Sequence, residues 1–226
     1  MTKEESQGFL INAGLFAHAL KTLKPFASKE ETRFYLCGIH LDLREGEDEI
    51  SIVATDGHKL GVLTYAVDRQ EGFDGAIAAI IPTKAVETLC VMLKGLNDDF
   101  PIEVSFNEAG RRMFVNAGDE RGDFLLIDGT YPDYRSVIPT KKPNFLIGLA
   151  KAQAKEAMAA IAAQDKSSPL VWEIIDNTAP LLLHTEDSAE QYVIMPMRVS
   201  LPGEPEIAPV VEKDPDQYDL DDYVAA

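Results

Sequence analysis

Cysteine, tryptophan and long apolar runs are all scarce in this sequence. Two cysteines in 226 residues, Cys37 and Cys90, stand far apart without metal-ligand spacing. That disfavours a disulfide framework and a zinc module and makes a reducing cytoplasm the expected location. No stretch approaches the roughly 18 apolar residues of a membrane span. The opening residues, Met1 to Ser6, are polar with no apolar run behind them, so no signal peptide is expected. Acid pairs such as Asp98-Asp99 lack an EF-hand or other ligand spacing, so neither a metal nor a cofactor is expected. Basic residues are outnumbered, 21 Lys and Arg against 38 Asp and Glu, for a net charge of −17. Such a balance argues against a protein that coats nucleic acid with its whole surface. What is present is an ordinary globular complement, 46% hydrophobic and 26% charged.

The acidity is uneven. Residues 200–226 carry eight acids against Lys213 alone, together with Pro202, Pro205, Pro209 and Pro215. This segment reads as an extended, disordered tail. The remainder is organised by an internal repeat. An apolar strand, a turn and an amphipathic helix recur at Phe9–Asn12 with Leu15–Lys24, at Ala79–Pro82 with Lys84–Leu93, and at Phe145–Gly148 with Lys151–Ala163. Three strand-like runs follow each helix. They are Phe34–Leu43, Glu49–Thr55 and Lys59–Val67; Ile102–Phe106, Arg112–Asn116 and Asp123–Ile127; and Leu170–Ile175, Leu181–His184 and Gln191–Val199. The unit is βαβββ, three times over, which predicts an α+β class with largely antiparallel sheet. Two units packed together bury both helices on one side of a joined sheet surface. A third unit is left over.

The helical stretches hold Lys21, Lys24, Lys84, Lys94, Lys151, Lys155 and Lys166 against Glu87, Glu156 and Asp165. A basic helical face on an acidic protein suits contact with a phosphate backbone without base readout. Lysine near a helix C-terminus also complements the helix dipole, which accounts equally well for Lys24, Lys94 and Lys166. Trp172 reads as a core residue, Cys37 and Cys90 as small buried hydrophobes, and His18, His40 and His184 as ordinary packed or surface histidines. His58 follows Asp56 in a hairpin turn that Gly57 permits. No Ser or Cys nucleophile is placed near it, so a turn or pocket residue is expected there rather than a catalytic one.

Three strings carry a resemblance: Val53-Ala-Thr-Asp-Gly-His-Lys-Leu-Gly61, Tyr131-Pro-Asp-Tyr-Arg135 and Tyr192-Val-Ile-Met-Pro-Met-Arg198. With Arg33-Phe-Tyr-Leu-Cys-Gly38 they occur in the same order as in the bacterial sliding clamp, the β subunit of DNA polymerase III, which this sequence resembles. The resemblance implies a DNA-clamp fold of three βαβββ repeats: residues 1–142 as a complete domain like the family's middle one, and 143–199 as the second half of its last. It implies a non-catalytic processivity factor that encircles double-stranded DNA and tethers polymerase and other replication proteins by a short peptide. By the same resemblance the peptide pocket comprises Leu36, Thr55, Gly57, His58, Lys59, Leu60, Pro132, Arg135, Val137, Val193, Met195, Pro196, Met197 and Arg198. Apolar side chains rimmed by Lys59 and Arg198 suit an acidic peptide with apolar anchors. Ser136 stands where the family has a second basic residue.

The family carries six units per chain and closes a ring of twelve as a dimer. Three units per chain therefore imply four copies, a dimer of dimers, in which each third unit pairs with its copy. The alternative is a clamp-like decoy or adaptor that binds such peptides without encircling DNA. In the tail, Gln217, Leu220 and Tyr223 resemble the peptide that clamps bind, beside the plainer reading of a solvated acidic segment.

Overall fold

The computed structural model describes residues 7–107, 109–144, 146–164, 168–185, 191–197 and 199. The chain divides into two compact bodies, residues 1–139 and 140–226. In the first, β1 (Gln7–Asn12) runs into α1 (Ala13–Leu23), and β2 (Gly38–Leu43), β3 (Glu49–Thr55), β4 (Leu60–Ala66) and the short β5 (Asp68–Arg69) follow. The second unit repeats this as β6 (Ile77–Pro82), α2 (Thr83–Met92), β7 (Pro101–Phe106), β8 (Arg112–Ala117) and β9 (Glu120–Leu125). Alternation places Phe9 and Ile11 of β1, and Ile102 and Val104 of β7, fully inward. The helices present Phe16, Leu20 and Leu23, and Val86 and Leu89, to the same core. One hydrophobic cluster thus joins both helices and both sheets. Truncating such a leucine to alanine costs about 2–5 kcal/mol.

The two units exchange their first strands. One sheet has the order β5-β1-β7-β8-β9 and the other β4-β3-β2-β6, all antiparallel. So β1 of the first unit pairs with β7 of the second, and β6 of the second pairs with β2 of the first. The helix starts follow the same rule. Neither α1 nor α2 has a side-chain N-cap bond. Instead the Ala13 N–H donates to the Phe100 carbonyl at 2.8 Å, and the Thr83 N–H to the Cys37 carbonyl at 3.2 Å. Each acceptor immediately precedes the strand that receives the exchanged one. A helix's orphan amides are thereby satisfied by the other unit's backbone.

The second body holds α3 (Lys151–Gln164), β10 (Leu170–Glu173), β11 (Leu181–Thr185) and β12 (Tyr192–Ile194). Its strands form a three-stranded antiparallel sheet with β10 and β12 at the edges. Ile161, Leu181, Leu183 and Ile194 are buried, with Trp172 half-buried against them.

Several expected boundaries are corrected. The run Phe34–Leu43 is not one strand: Glu31–Leu36 forms a 3-10 turn and the strand begins at Gly38. Phe34 and Leu36 match strand alternation, but Arg33 pairs back to Glu30, and the Ser28 N–H closes on the Leu36 carbonyl at 2.9 Å. Asp123–Ile127 ends early as a strand, at Leu125: the Leu126 amide still bonds the Arg111 carbonyl beside β8, but the Ile127 amide turns to the carbonyl of Ile80. Among the described residues, Gln191–Val199 is a strand only over Tyr192–Ile194. The expected strand Phe145–Gly148 is reduced, among the described residues, to a bridge between Gly148 and Met197, and Phe145 lies outside them. Cys37 and Cys90 are half-buried rather than buried.

Candidate peptide-binding and DNA-facing surfaces

The hairpin after β3 is built by its own side chains. Thr55 Oγ1 accepts the Gly57 N–H at 3.0 Å and donates to the Lys59 carbonyl at 2.7 Å. Asp56 Oδ1 accepts the amides of His58 and Lys59 at 2.9 and 3.0 Å, while its other oxygen meets Lys59 Nζ at 2.9 Å. The Lys59 side chain, then the two amides, hold the Asp56 carboxyl well below the usual carboxylate range. Gly57 has φ +93°, and a Cβ there would sit 2.8 Å from Arg33 Nη1. The hairpin therefore abuts the 3-10 turn that carries Leu36.

The segment Tyr131–Val137 runs along β2, with Tyr131 against His40 and Tyr134 and Arg135 against Asp42. Gly129 packs under Phe34 and Tyr35, where a Cβ would meet them at 3.2 and 3.1 Å. Tyr131 stacks on His40 with ring centroids 4.5 Å apart. Burial pushes its phenol up to about 12, against a smaller opposing pull from the Thr55 backbone. Burial likewise holds His40 below the ordinary imidazole value. The Tyr134 hydroxyl donates to Asp42 Oδ2 at 2.9 Å, and Arg135 pairs with that same oxygen while its guanidinium lies 4.7 Å from the Tyr134 ring. A cleft of about 360 Å³ lies among these groups. Of the expected pocket residues only Pro132 and Arg135 line it. Leu36 is buried, whereas Val137 is 68% exposed. Leu36, Thr55, Gly57, His58, Lys59 and Leu60 thus lie in and beside the hairpin and the 3-10 turn, whereas Pro132 and Arg135 border the cleft beside Asp42, farther along β2, and Val137 is exposed.

In the second body, Val193 and Met195 line a cleft of about 520 Å³ with Gln153, Glu156, Ala157 and Ala160 of α3. Val193, Met195 and Met197 are all more than half exposed. Arg198, Gln217, Leu220 and Tyr223 lie outside the described residues. Lys21, Lys24, Lys84, Lys94, Lys151 and Lys155 are all exposed. Two of them fall just past their helices: Lys24 opens a 3-10 turn after α1, and Lys94 follows α2. Lys24 Nζ bridges to Glu87 of α2 at 2.7 Å, an exposed pair that offsets part of the local basicity. Among the described residues no three His, Cys, Asp or Glu side chains gather to hold a metal. No helix among them is long and apolar enough to cross a membrane.

The family model described as the DNA polymerase III beta subunit, central domain, matches residues 11–133. That is more than half of the 226 residues. The chain belongs to the DNA polymerase III beta subunit family. The beta sliding clamp of Escherichia coli K12 is 30% identical over 176 residues, covering 76% of this chain and 44% of that protein. The beta sliding clamp of Rickettsia bellii is 32% identical over 143 residues, covering 62% and 35%. The crystal structure of the Bacillus subtilis DNA polymerase sliding clamp superposes with a TM-score of 0.71 at 21% identity, covering 85% of this chain and 50% of that one. The chain spans half or less of the length of these relatives. The fold is that of the sliding clamp, in mixed α/β form with antiparallel sheets.

Sequence reading missed the Asp42, Tyr131, Tyr134 and His40 cluster. A signal was available. In Gly38–Leu43, His40 and Asp42 share one face of a strand whose other face is Ile39, Leu41 and Leu43. Two ionisable groups aimed together off a core strand require partners.

Proposed function

We propose that this chain is a shortened sliding clamp, a non-catalytic processivity factor. It encircles duplex DNA with its helices facing the phosphates and holds polymerases and other replication proteins through a peptide pocket. Four copies supply the twelve units of the ring. The observation that carries this reading is the set of exposed lysines on and beside the helices of a chain with net charge −17. An acidic outer surface with a basic helical lining retains DNA without binding it indiscriminately. The exposed Val137, Val193, Met195 and Met197 support the peptide-binding part of the reading. Adaptable methionines suit several partners.

The test is topological. Chains are diluted and reconcentrated with nicked circular DNA, so that rings assemble around it, and the DNA is then linearised. Retention on the circle with release from the line is the expected result. Substituting Lys21, Lys84 and Lys151 together by Glu should abolish retention, and retention unchanged by that triple substitution overturns the assigned inner face. Equal binding to circle and line, with intact affinity for a clamp-binding peptide, would instead establish the adaptor reading.

A further inference from the structure

The two complete units obey three pairing rules, and the third unit satisfies only one of them. In each complete unit, the segment after the last strand folds back onto the unit's own first strand. Asp68 pairs with Leu10, and the Ile127 N–H donates to the Ile80 carbonyl at 2.9 Å. The third unit does the same, with the Met197 N–H on the Gly148 carbonyl at 2.7 Å. Leu10, Ile80 and Gly148 hold one position, two residues before the last residue ahead of the helix (Asn12, Pro82 and Ala150). The second rule gives the first strand's other edge to the opposite unit's leading strand, as β1 does with β7 and β6 with β2. The third gives the helix's first amide to the carbonyl preceding that strand. Among the described residues, α3 receives no such backbone bond, β10 is an edge strand, and Leu146 to Gly148 pair only with Met197.

We propose that the third units of two chains exchange their first strands reciprocally, so that residues 146–149 of each copy lie antiparallel along β10 of the other. The occupant is a second copy because the missing parts are mutual: the unit lacks a strand on β10 and offers a strand of the kind it lacks. The register follows from the prolines that lead β7 and β10. Pro101 opposes Asn12, with Ile102, Val104 and Phe106 buried behind it. Pro169 with Leu170, Trp172 and Ile174 repeats that spacing. Aligning Pro169 with the other copy's Ala150 sets Gly148 against Val171 and Leu146 against Glu173. In the first body α1 and α2 pack on one another, with α2 lying against β2 and β6, so by the same rule the second copy's α3 lies against β10 and the exchanged strand. A two-fold interface of this kind is self-complementary, and it removes two exposed sheet edges at once.

The ring reading uses this interface, but the interface stands on the pairing rules alone, so the two can fail separately. The experiment uses the full chain in a Cys37→Ser, Cys90→Ser background. Protein carrying Leu146→Cys is mixed with protein carrying Glu173→Cys and treated with a short bis-maleimide. A linked species of twice 24.8 kDa is expected. Its cross-link is intermolecular by construction. Light scattering of the unmodified chain reports the mass in parallel. A monomer at every concentration overturns the proposal. So does an oligomer in which this pair links no better than Leu146→Cys with Glu120→Cys, on β9 of the first body. Efficient linking in a protein that circular DNA does not retain would keep the exchange and remove the ring.

Discussion

Replacing Asp42 by Ala should destabilise the first body by about 2–4 kcal/mol, and most of the loss should depend on Tyr134 and Arg135. Asp42 side-chain exposure is 15% and that of Arg135 is 35%. One carboxylate oxygen receives both the Tyr134 hydroxyl and the Arg135 guanidinium. A hydrogen bond to a charged group contributes about 1.5–3 kcal/mol. The half-exposed ion pair adds about 0.2–1 kcal/mol once solvent screening is allowed for. Tyr134→Phe removes that hydrogen bond to the carboxylate alone and should cost about 1.5–3 kcal/mol. Urea unfolding followed by far-UV circular dichroism measures the change, and Trp172 fluorescence follows the other body separately. In the double cycle of Asp42→Ala with Arg135→Ala, the coupling should be about 1 kcal/mol, as for groups sharing one network. Additive losses would mean that Arg135 is held by its ring contact with Tyr134 instead. A total below about 0.5 kcal/mol, the level of ordinary surface changes, would refute the assignment of Asp42 as the anchor of the Tyr131–Val137 segment.

Gly57→Val should weaken binding of a fluorescent clamp-binding peptide several-fold, because a β-branched residue at φ +93° strains the hairpin and displaces Arg33. Unchanged affinity would detach that hairpin from the pocket. The two bodies should also respond oppositely to pH. His40 is kept below its ordinary pKa by burial, so its contribution is present above about 6.5 and lost as pH falls through the lowered value. His184 is raised by the Thr185 carbonyl and then Glu173, at 3.0 and 2.9 Å, because only the protonated ring donates from both nitrogens. Its contribution is present below about 6.5 and lost as pH rises through the raised value. Unfolding midpoints from pH 5 to 8, by circular dichroism and by Trp172 fluorescence, should trend in opposite directions. His184→Gln should flatten the second trend alone.

The sequence shows the fold where periodicity and burial agree. Glu49–Thr55, which starts with alternating Ile50 and Ile52 and is bounded by turn residues, is a strand over just those residues. The helices are legible because Phe16, Leu20 and Leu23 keep one face. The 3-10 turn over Glu31–Leu36 is not, since Phe34 and Leu36 alternate as a strand would. There the local ion pair of Glu30 with Arg33 overrides the pattern, and Phe34 is left 51% exposed. The site divides the same way. The Thr55–Lys59 hairpin is legible from turn chemistry, because each polar side chain closes on its own neighbours. The Asp42 network bridges residues 93 positions apart. Spacing along the chain carries no trace of a contact over that distance.

Strand exchange is the least legible property of all, and it governs how the repeats behave. A repeat in the sequence invites the picture of three units each folding upon itself. The hydrogen bonds contradict that picture, because β1 pairs with β7 and β6 with β2, each joining the other unit's sheet. The amides of Ala13 and Thr83 are likewise satisfied only across the pair. An isolated unit therefore loses a strand and a helix cap together, and the pair is the smallest complete structure. The same logic accounts for the slight core of the third unit, in which four apolar residues are buried among the described residues. So small an apolar core does not offset the ordering of some fifty residues unaided. If the third units exchange strands as proposed, association through β10 and α3 would add the burial that the single unit lacks, and the second body's stability would rise with chain concentration.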